Sequence, residues 1–318
     1  MLRVLVIGAS GYVGGRLSYL LAKEGYRVTA LCYPDIPINN NWISMMENVL
    51  LADITSMKSI EDITDEYFDI AIHLVSLDHN DSNKTPNIVN SINVMPIWNL
   101  LDAFNKKKNL KKFIYFSTVH VYGNVEYDII DETKLPIPNT PYGLTHLMAE
   151  NICNMYNASS EIKCINLRMT NSYGSPFFKE KSCWWLVVND LCRTAYNEGS
   201  IILQSDGSAL RDFIHYNDIL QAVKTIMTNS KLNYNTFHLS SSNTLSIYEL
   251  AKLVRLQYKQ RYSKDIFIVL PEGIESNINN KSKYIISNKR LLKEGFSITT
   301  SIEEGINELF NYLENNAE

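Results

Sequence analysis

The chain has little of what would tie it to a bilayer, a metal or an oxidising compartment. None of its apolar runs approaches the ~20 residues that span a membrane. Its five cysteines, Cys32, Cys153, Cys164, Cys183 and Cys192, form no C-x-x-C pair and stand at no Cys/His metal spacing. An odd number without a framework reads as reduced thiols, which points to the cytoplasm. An excess of positive charge is also missing: 30 Lys and Arg stand against 34 Asp and Glu, a net −4. Nucleic acid and anionic membrane are therefore not expected partners. One basic cluster, Lys106–Lys108 with Lys111 and Lys112, falls between a helical stretch and a strand and reads as a solvated turn. The first apolar strand starts at Leu2, which leaves no room for a signal peptide. Internal repeats, low-complexity tracts and long linkers are absent as well.

What the 318 residues do have is a rhythm. "LRVLVIG" is a short β-branched apolar run ending in glycine, a buried strand. After it, Val13, Leu17, Leu20 and Leu21 recur on one helical face. Further strands are "YRVTALC", "NVLLADI", "FDIAIHLVS", "KKFIYFST" and "EIKCINLRM", with helices over Ile88–Asn105 and from Tyr142. Strands alternating with helices predict an α/β chain with a doubly wound parallel sheet, covered on both faces. Beyond Asn171 the rhythm loosens. Helical stretches lie near Trp184–Glu198, Asp218–Asn229 and Ser246–Tyr258, with short strands at "IILQ", "NTFHLSS" and "IFIVLP". Ser246-x-x-Glu249 and Ser301-x-x-Glu304 are capping-box patterns. The expected division is a first domain over 1–170, joined again by elements near 208–242, and a smaller α/β domain over 171–318.

Gly8, Gly11 and Gly14 spell G-x-x-G-x-x-G between the first strand and the first helix. Such glycines allow a tight turn, close approach of backbone N–H groups to a pyrophosphate, and helix–strand packing. Where the second strand ends, Cys32 and Tyr33 stand in place of a ribose-binding acid, and Asp35 comes slightly late. No arginine is there for a 2′-phosphate, which leans toward NAD and leaves NADP open.

Taken together, "GASGYVGG" (Gly8–Gly15), "ADI" (Ala52–Ile54), "FSTVHVYG" (Phe116–Gly123), "PYGLTH" (Pro141–His146), "LRMTNSYG" (Leu167–Gly174) and "DGSALRDFIHYNDI" (Asp206–Ile219) resemble the extended short-chain dehydrogenase/reductases. These are NAD-dependent nucleotide-sugar epimerases, dehydratases and reductases. The resemblance implies a Rossmann-type domain followed by a smaller nucleotide-sugar-binding domain. It also implies roles. Gly8, Gly11, Tyr12, Val13 and Gly14 would hold the cofactor's phosphates, and Asp53 and Ile54 would lie beside its adenine. Leu74, Val75 and Ser76 would line the cofactor, and Asn93 would buttress the site. Thr118 would orient the reacting hydroxyl and Tyr142 would carry its proton. His120, Asn171 and Arg211 would contact the substrate, Arg211 through its diphosphate, for which a planar guanidinium is suited.

Two departures narrow the expectation. Hydride transfer from a sugar hydroxyl needs a base, and a free tyrosine ionises near pH ~10. Lowering that to ~7 takes about 4 kcal/mol of preferential phenolate stabilisation. The family draws much of it from a lysine four residues on, which also holds the nicotinamide ribose. Here His146 stands in that place, able to hydrogen-bond a ribose but only about a tenth to a quarter charged near neutrality at an ordinary pKa. Second, 4,6-dehydratases of the family carry Asp-Glu after the strand-end threonine, whereas this chain has Val119 and His120. Elimination of water is therefore disfavoured. The expected activity is a dehydrogenase or ketosugar reductase, most often at C4, with a GDP-heptose-type 4-dehydrogenase as a named candidate. Alternatives are a 4-epimerase and, from another class, a non-catalytic dinucleotide-binding sensor. Asn-, Lys- and Ile-rich usage points to an AT-rich bacterial genome, where such enzymes serve capsule and other surface polysaccharide pathways. A homodimer through the helices at about Ile88–Asn105 and Tyr142–Asn157, or a larger homo-oligomer, is implied as well.

Overall fold

The computed structural model describes residues 1–124, 128–179, 183–273 and 284–316. They form two compact units: Met1–Val125 with Glu132–Met169 and Lys224–His238, and Glu126–Asp131 with Thr170–Val223 and Leu239–Glu318.

Unit 1 is organised by a sheet of seven strands. In chain order these are β1 (Arg3–Ile7), β2 (Arg27–Cys32), β3 (Asn48–Leu51), β4 (Phe68–His73) and β5 (Leu110–Thr118), then β7 (Lys163–Met169) and β11 (Thr236–Leu239), after a two-residue β6 (Ile129–Ile130) in unit 2. Their spatial order is β11-β7-β5-β4-β1-β2-β3. Every pairing from β7 to β3 is parallel, as the crossover rhythm predicts. The reversal of strand order beside β1 is where such sheets open a crevice at their carboxyl ends. Helices α1 (Tyr12–Lys23), α2 (Asn40–Met45), α3 (Met57–Thr64), α4 (Pro86–Asn93), α5 (Met95–Lys107) and α6 (Pro141–Ser159) follow these strands. One large apolar cluster joins strand residues such as Leu5, Ile7 and Phe113 to Ile97, Leu101 and Phe104 of α5.

Three local expectations are corrected. The stretch Ile88–Asn105 is two helices, because Pro96 at the start of α5 has no N–H to donate and the chain turns at Val94 (φ −120°, ψ −56°). On α1 the buried face runs through Gly14, Leu17, Ser18 and Leu21, while Val13 and Leu20 are half-exposed. The polar Ser18 is accommodated because the Trp42 indole N–H donates to its Oγ at 3.0 Å and to the Gly15 carbonyl at 3.1 Å. Finally, Lys112 is no solvated turn residue. Its ammonium donates to the carbonyls of Ile226, Met227 and Asn229 at 2.6, 3.3 and 3.0 Å, closing a helix end, and burial lowers its pKa. Lys106, Lys107 and Lys111 pair with Asp102, Asp65 and Asp69.

Unit 2 has its own core, in which Val188, Leu191 and Ala195 of α7 (Val187–Glu198) meet Leu250 and Val254 of α9 (Ile247–Tyr262) and Ile306 and Phe310 of α11 (Ile302–Asn315). Its sheets are small: β8 (Asn171–Tyr173), β10 (Leu210–His215) and β12 (Thr244–Ser246) form one, β9 (Ser200–Ile202) and β13 (Phe267–Val269) another, and β6 with β14 (Ile285–Ile286) a third. Helices α8 (Tyr216–Thr228) and α10 (Lys289–Lys293) complete the chain. Both capping boxes form, with Ser246 and Ser301 accepting from Glu249 N and Glu304 N and the glutamates returning the bond. Among the described residues no helix is long and apolar enough to cross a membrane.

Candidate functional site

The glycine turn forms a cradle. Gly11 is the N-cap of α1 and supplies no side-chain acceptor, and the first turn carries no acid. The helix thus starts with its positive end open to an anion. Gly14 lets α1 sit directly on the turn, since a Cβ there would lie 2.1 Å from the Gly8 carbonyl oxygen. Tyr12 and Val13 are half-buried on the same first turn. Beside the cradle is a cavity of about 370 Å³ lined by Gly8, Asp53, Ile54 and Val75 together with Cys32 and Tyr33. Asp53 is oriented by Thr55, whose N–H and hydroxyl both donate to Oδ1, at 2.8 and 2.7 Å. Leu74 continues β4, its N–H donating to the Ile7 carbonyl at 3.0 Å, and Ser76 follows half-buried. An open helix N-terminus, a glycine whose Cβ would fill the turn and an adjoining apolar cavity with a carboxylate fit a dinucleotide. Residues 8–14 would hold its phosphates, and Asp53 and Ile54 would hold its adenosine.

The second half of the constellation lies where β5 ends and α6 begins. Thr118 is the last residue of β5, 5% exposed; its hydroxyl accepts from the His120 N–H at 3.2 Å and lies near enough to the Tyr142 phenol to lower its pKa. Tyr142 sits in the first turn of α6, which starts with Thr140 as N-cap and Pro141 behind it. Gly143 is required next to it, because a Cβ there would come within 2.5 Å of the His120 carbonyl oxygen. Burial raises the Tyr142 pKa above the ordinary value, the nearby Thr118 hydroxyl lowers it, and the Asp78 charge raises it again. His120 is exposed, with its ring centroid 5.7 Å from that of Tyr142, and His79 stands at 6.1 Å.

Asn93 ties these halves together within unit 1. It is 1% exposed, accepts from the Leu77 N–H at 2.8 Å and donates to Thr145 Oγ1 at 3.0 Å. The loop after β4 is thereby fixed to the helix that carries Tyr142.

His146 shares a face with Tyr142, the ring centroids 4.6 Å apart. It is 2% exposed, and burial, with His120 and His73 nearby, lowers its pKa to about 3. The position therefore carries no charge near neutral pH, less than an ordinary histidine would. One turn further, Glu150 lies on the same buried face. It accepts from Ser117 Oγ at 2.5 Å and from Arg168 Nε and Nη2 at 2.9 and 2.7 Å. Arg168 in turn donates to the Tyr122 hydroxyl at 2.6 Å, and that hydroxyl meets His238 Nε2 at 2.6 Å. Extending the Tyr142–His146 spacing by one more turn reaches Glu150, but Tyr115, Asp78 and His79 leave no comparable signal.

Asn171 and Arg211 lie in unit 2, on the neighbouring strands β8 and β10, where Asn171 pairs with Phe213. Asn171 Nδ2 donates to the Asp212 carbonyl at 2.9 Å, and Arg211 is exposed. Asp212 between them is buried and its pKa is raised by that burial, against the bonds it accepts from Ser241, Thr170 and Asn243. Among the described residues no group of His, Cys, Asp and Glu could hold a metal ion.

Known proteins resemble this chain along most of its length. A profile described as "NAD dependent epimerase/dehydratase family" matches residues 4–240. A trifunctional UDP-glucose 4,6-dehydratase, 3,5-epimerase and reductase of Arabidopsis thaliana is 22% identical over 99% of this chain, which spans 48% of that protein. UDP-glucose 4-epimerase of Mycoplasma genitalium is 24% identical over 92% of this chain and 97% of its own. The solved structure of MoeE5 in complex with UDP-glucose and NAD superposes with a TM-score of 0.81 at 20% identity, over 99% of this chain and 100% of that one.

Proposed function

The chain belongs to the NAD dependent epimerase/dehydratase family, whose members are enzymes, and on that premise we propose that it is an NAD-dependent oxidoreductase of a nucleotide-activated sugar, acting at C4. The observation that carries the reading is the Thr118 hydroxyl set beside the Tyr142 phenol, at the end of β5, in the same unit as the glycine cradle and the Asp53 cavity. NAD, when bound, supplies the acceptor or donor of hydride and a positively charged ring. Residues 8–14 bind its phosphates through the N-terminus of α1. Asp53 and Ile54 hold the adenosine. The Thr118 hydroxyl orients the sugar oxygen, and the Tyr142 oxygen takes its proton in oxidation and returns one in reduction. Asn93 holds the Tyr142 helix against the loop after β4. Asn171 and Arg211 are assigned to the nucleotide sugar, Arg211 to its diphosphate.

A second reading, 4-epimerisation, is supported by relatives named UDP-glucose 4-epimerase. It shares the first step and differs in returning hydride to the other face of the ketosugar. Dehydration is disfavoured by Val119, whose hydrocarbon side chain can neither donate nor accept a proton. Surface polysaccharide biosynthesis, with a GDP-heptose 4-dehydrogenase as one member, extends this reading from residue usage alone. Exposed Ile88, Met95, Trp98, Leu144 and Met148 on α4, α5 and α6 support a homodimer through these helices.

The test is an assay with NAD and a panel of UDP-, dTDP-, GDP- and CDP-sugars between pH 6 and 10, reading NADH and the sugar products. Turnover of at least one sugar is expected. In Tyr142→Phe it should fall by about 10²-fold or more with NAD still bound. Cofactor binding without turnover of any sugar would instead favour the sensor.

A further inference from the structure

The residue one turn past Tyr142 is defined by what surrounds it. His146 Nδ1 lies 2.6 Å from the Tyr115 hydroxyl, and His146 Nε2 is buried with no hydrogen-bond partner. Tyr115, on β5, is 1% exposed, and His146 is the sole hydrogen-bond partner of its hydroxyl among the described residues. A phenol has one O–H to donate, and a neutral imidazole has one donor and one acceptor. If Nδ1 held the proton, it would donate to the phenol oxygen. The Tyr115 O–H and the Nε2 lone pair would then both be stranded in the core. If Nδ1 is instead the acceptor, the phenol is satisfied and only the Nε2–H remains. Unpaired buried donors are costly, so the second arrangement prevails. Burial also keeps both partners uncharged, lowering His146 to about 3 and holding the Tyr115 phenol well above its ordinary range. The titratable groups around the pair are Tyr142, His120 and His73, with Cys153 and Glu150 beside Tyr115.

We propose that Tyr115 is a positioning residue that fixes His146 as the neutral Nε2–H tautomer, so that the chain offers a bound dinucleotide one uncharged hydrogen-bond donor in place of an ammonium. This rests on the reading of the chain as an NAD-dependent enzyme. The remaining buried donor, one turn from Tyr142, is then completed by an acceptor oxygen of the dinucleotide and not by the protein. A donor of this kind binds by geometry alone, and its contribution does not change across the neutral pH range.

The test uses the full chain with ¹⁵N-labelled histidine, comparing wild type, Tyr115→Phe and His146→Gln. The six histidines are resolved by the signals that His146→Gln removes. Wild type at pH 7 is expected to show His146 with a protonated Nε2 and a bare Nδ1, and Tyr115→Phe to show the two tautomers mixed. NADH affinity, read by fluorescence titration, should fall about tenfold in Tyr115→Phe, while UDP-glucose affinity changes less than about twofold, a split that general loosening of the fold would not produce. A protonated Nδ1 or an imidazolium in wild type would overturn the proposal, and this measurement stands even where Tyr115→Phe fails to fold. Unchanged NADH affinity in folded Tyr115→Phe would overturn the donor's role alone. Wild type that binds no NADH would overturn the functional reading together with that role.

Discussion

At the scale of single residues, histidine is the most informative side chain in this molecule, because four of its six copies are buried and burial lowers the pKa of two of them, His73 and His146, to about 3. His73 ends β4 with both ring nitrogens buried and unpartnered, its ring 6.0 Å from those of Phe113 and Tyr115. Burial lowers its pKa from 6.5 to about 3. The unfolded chain therefore takes up a proton below pH 6.5 that native His73 refuses until about pH 3. Its contribution to stability is full above that upper value and is lost as the pH falls between the two. From pH 7 to pH 5 the loss is about 2 kcal/mol for this one residue. His73→Met is expected to remove that part of the acid sensitivity, measured as the difference in urea-unfolding free energy between the two pH values. An equal loss in the variant would show that His73 is charged in the native state.

At the scale of elements, α6 carries the candidate chemistry, and its face was partly legible in the sequence. Tyr142 and His146 four apart, the N-cap Thr140 and the proline after it all follow from local rules. The contacts that decide their behaviour do not. Tyr115 reaches His146 from β5, 31 residues earlier, and no periodicity encodes which strand will face which helix turn. Lys112 was misread for a similar reason, since a lysine in a basic run gives no sign that helix carbonyls 114 and more residues later will close around it. In unit 2 the predicted "IILQ" and "IFIVLP" fall on β9 and β13, whereas β8 and β12, three residues each, are too short and too polar to stand out from the background. In unit 1, β5, α6 and β7 are joined by the buried Glu150–Arg168 pair, whose guanidinium keeps its proton because the bonds and charge of Glu150 outweigh burial. Glu150→Ala is expected to destabilise unit 1 by about 3–5 kcal/mol by leaving Arg168 buried without its counter-charge. Glu150→Leu combined with Arg168→Met should recover most of that loss. Urea titration measures both, and a change under 1 kcal/mol in the single variant would place the pair in effective contact with water.

At the scale of the whole molecule, the parallel sheet and the glycine turn after β1 were readable because they rest on short-range patterns: apolar runs, helical spacing and glycine. The family follows from those same motifs and from the profile over residues 4–240. What sequence similarity does not carry is the substitution at residue 146. With His146 neutral and Tyr142 raised by burial, no fixed cation stands beside the proposed proton carrier among the described residues, and sugar oxidation should still be gaining rate with pH in the alkaline range. The most direct test is the pH–rate profile of NADH formation from the nucleotide sugar that the panel identifies, in wild type and in His146→Lys. The account predicts a rising limb in wild type that moves to lower pH in the variant, as an ammonium stabilises the Tyr142 phenolate. Superimposable profiles from two folded, active proteins would contradict it.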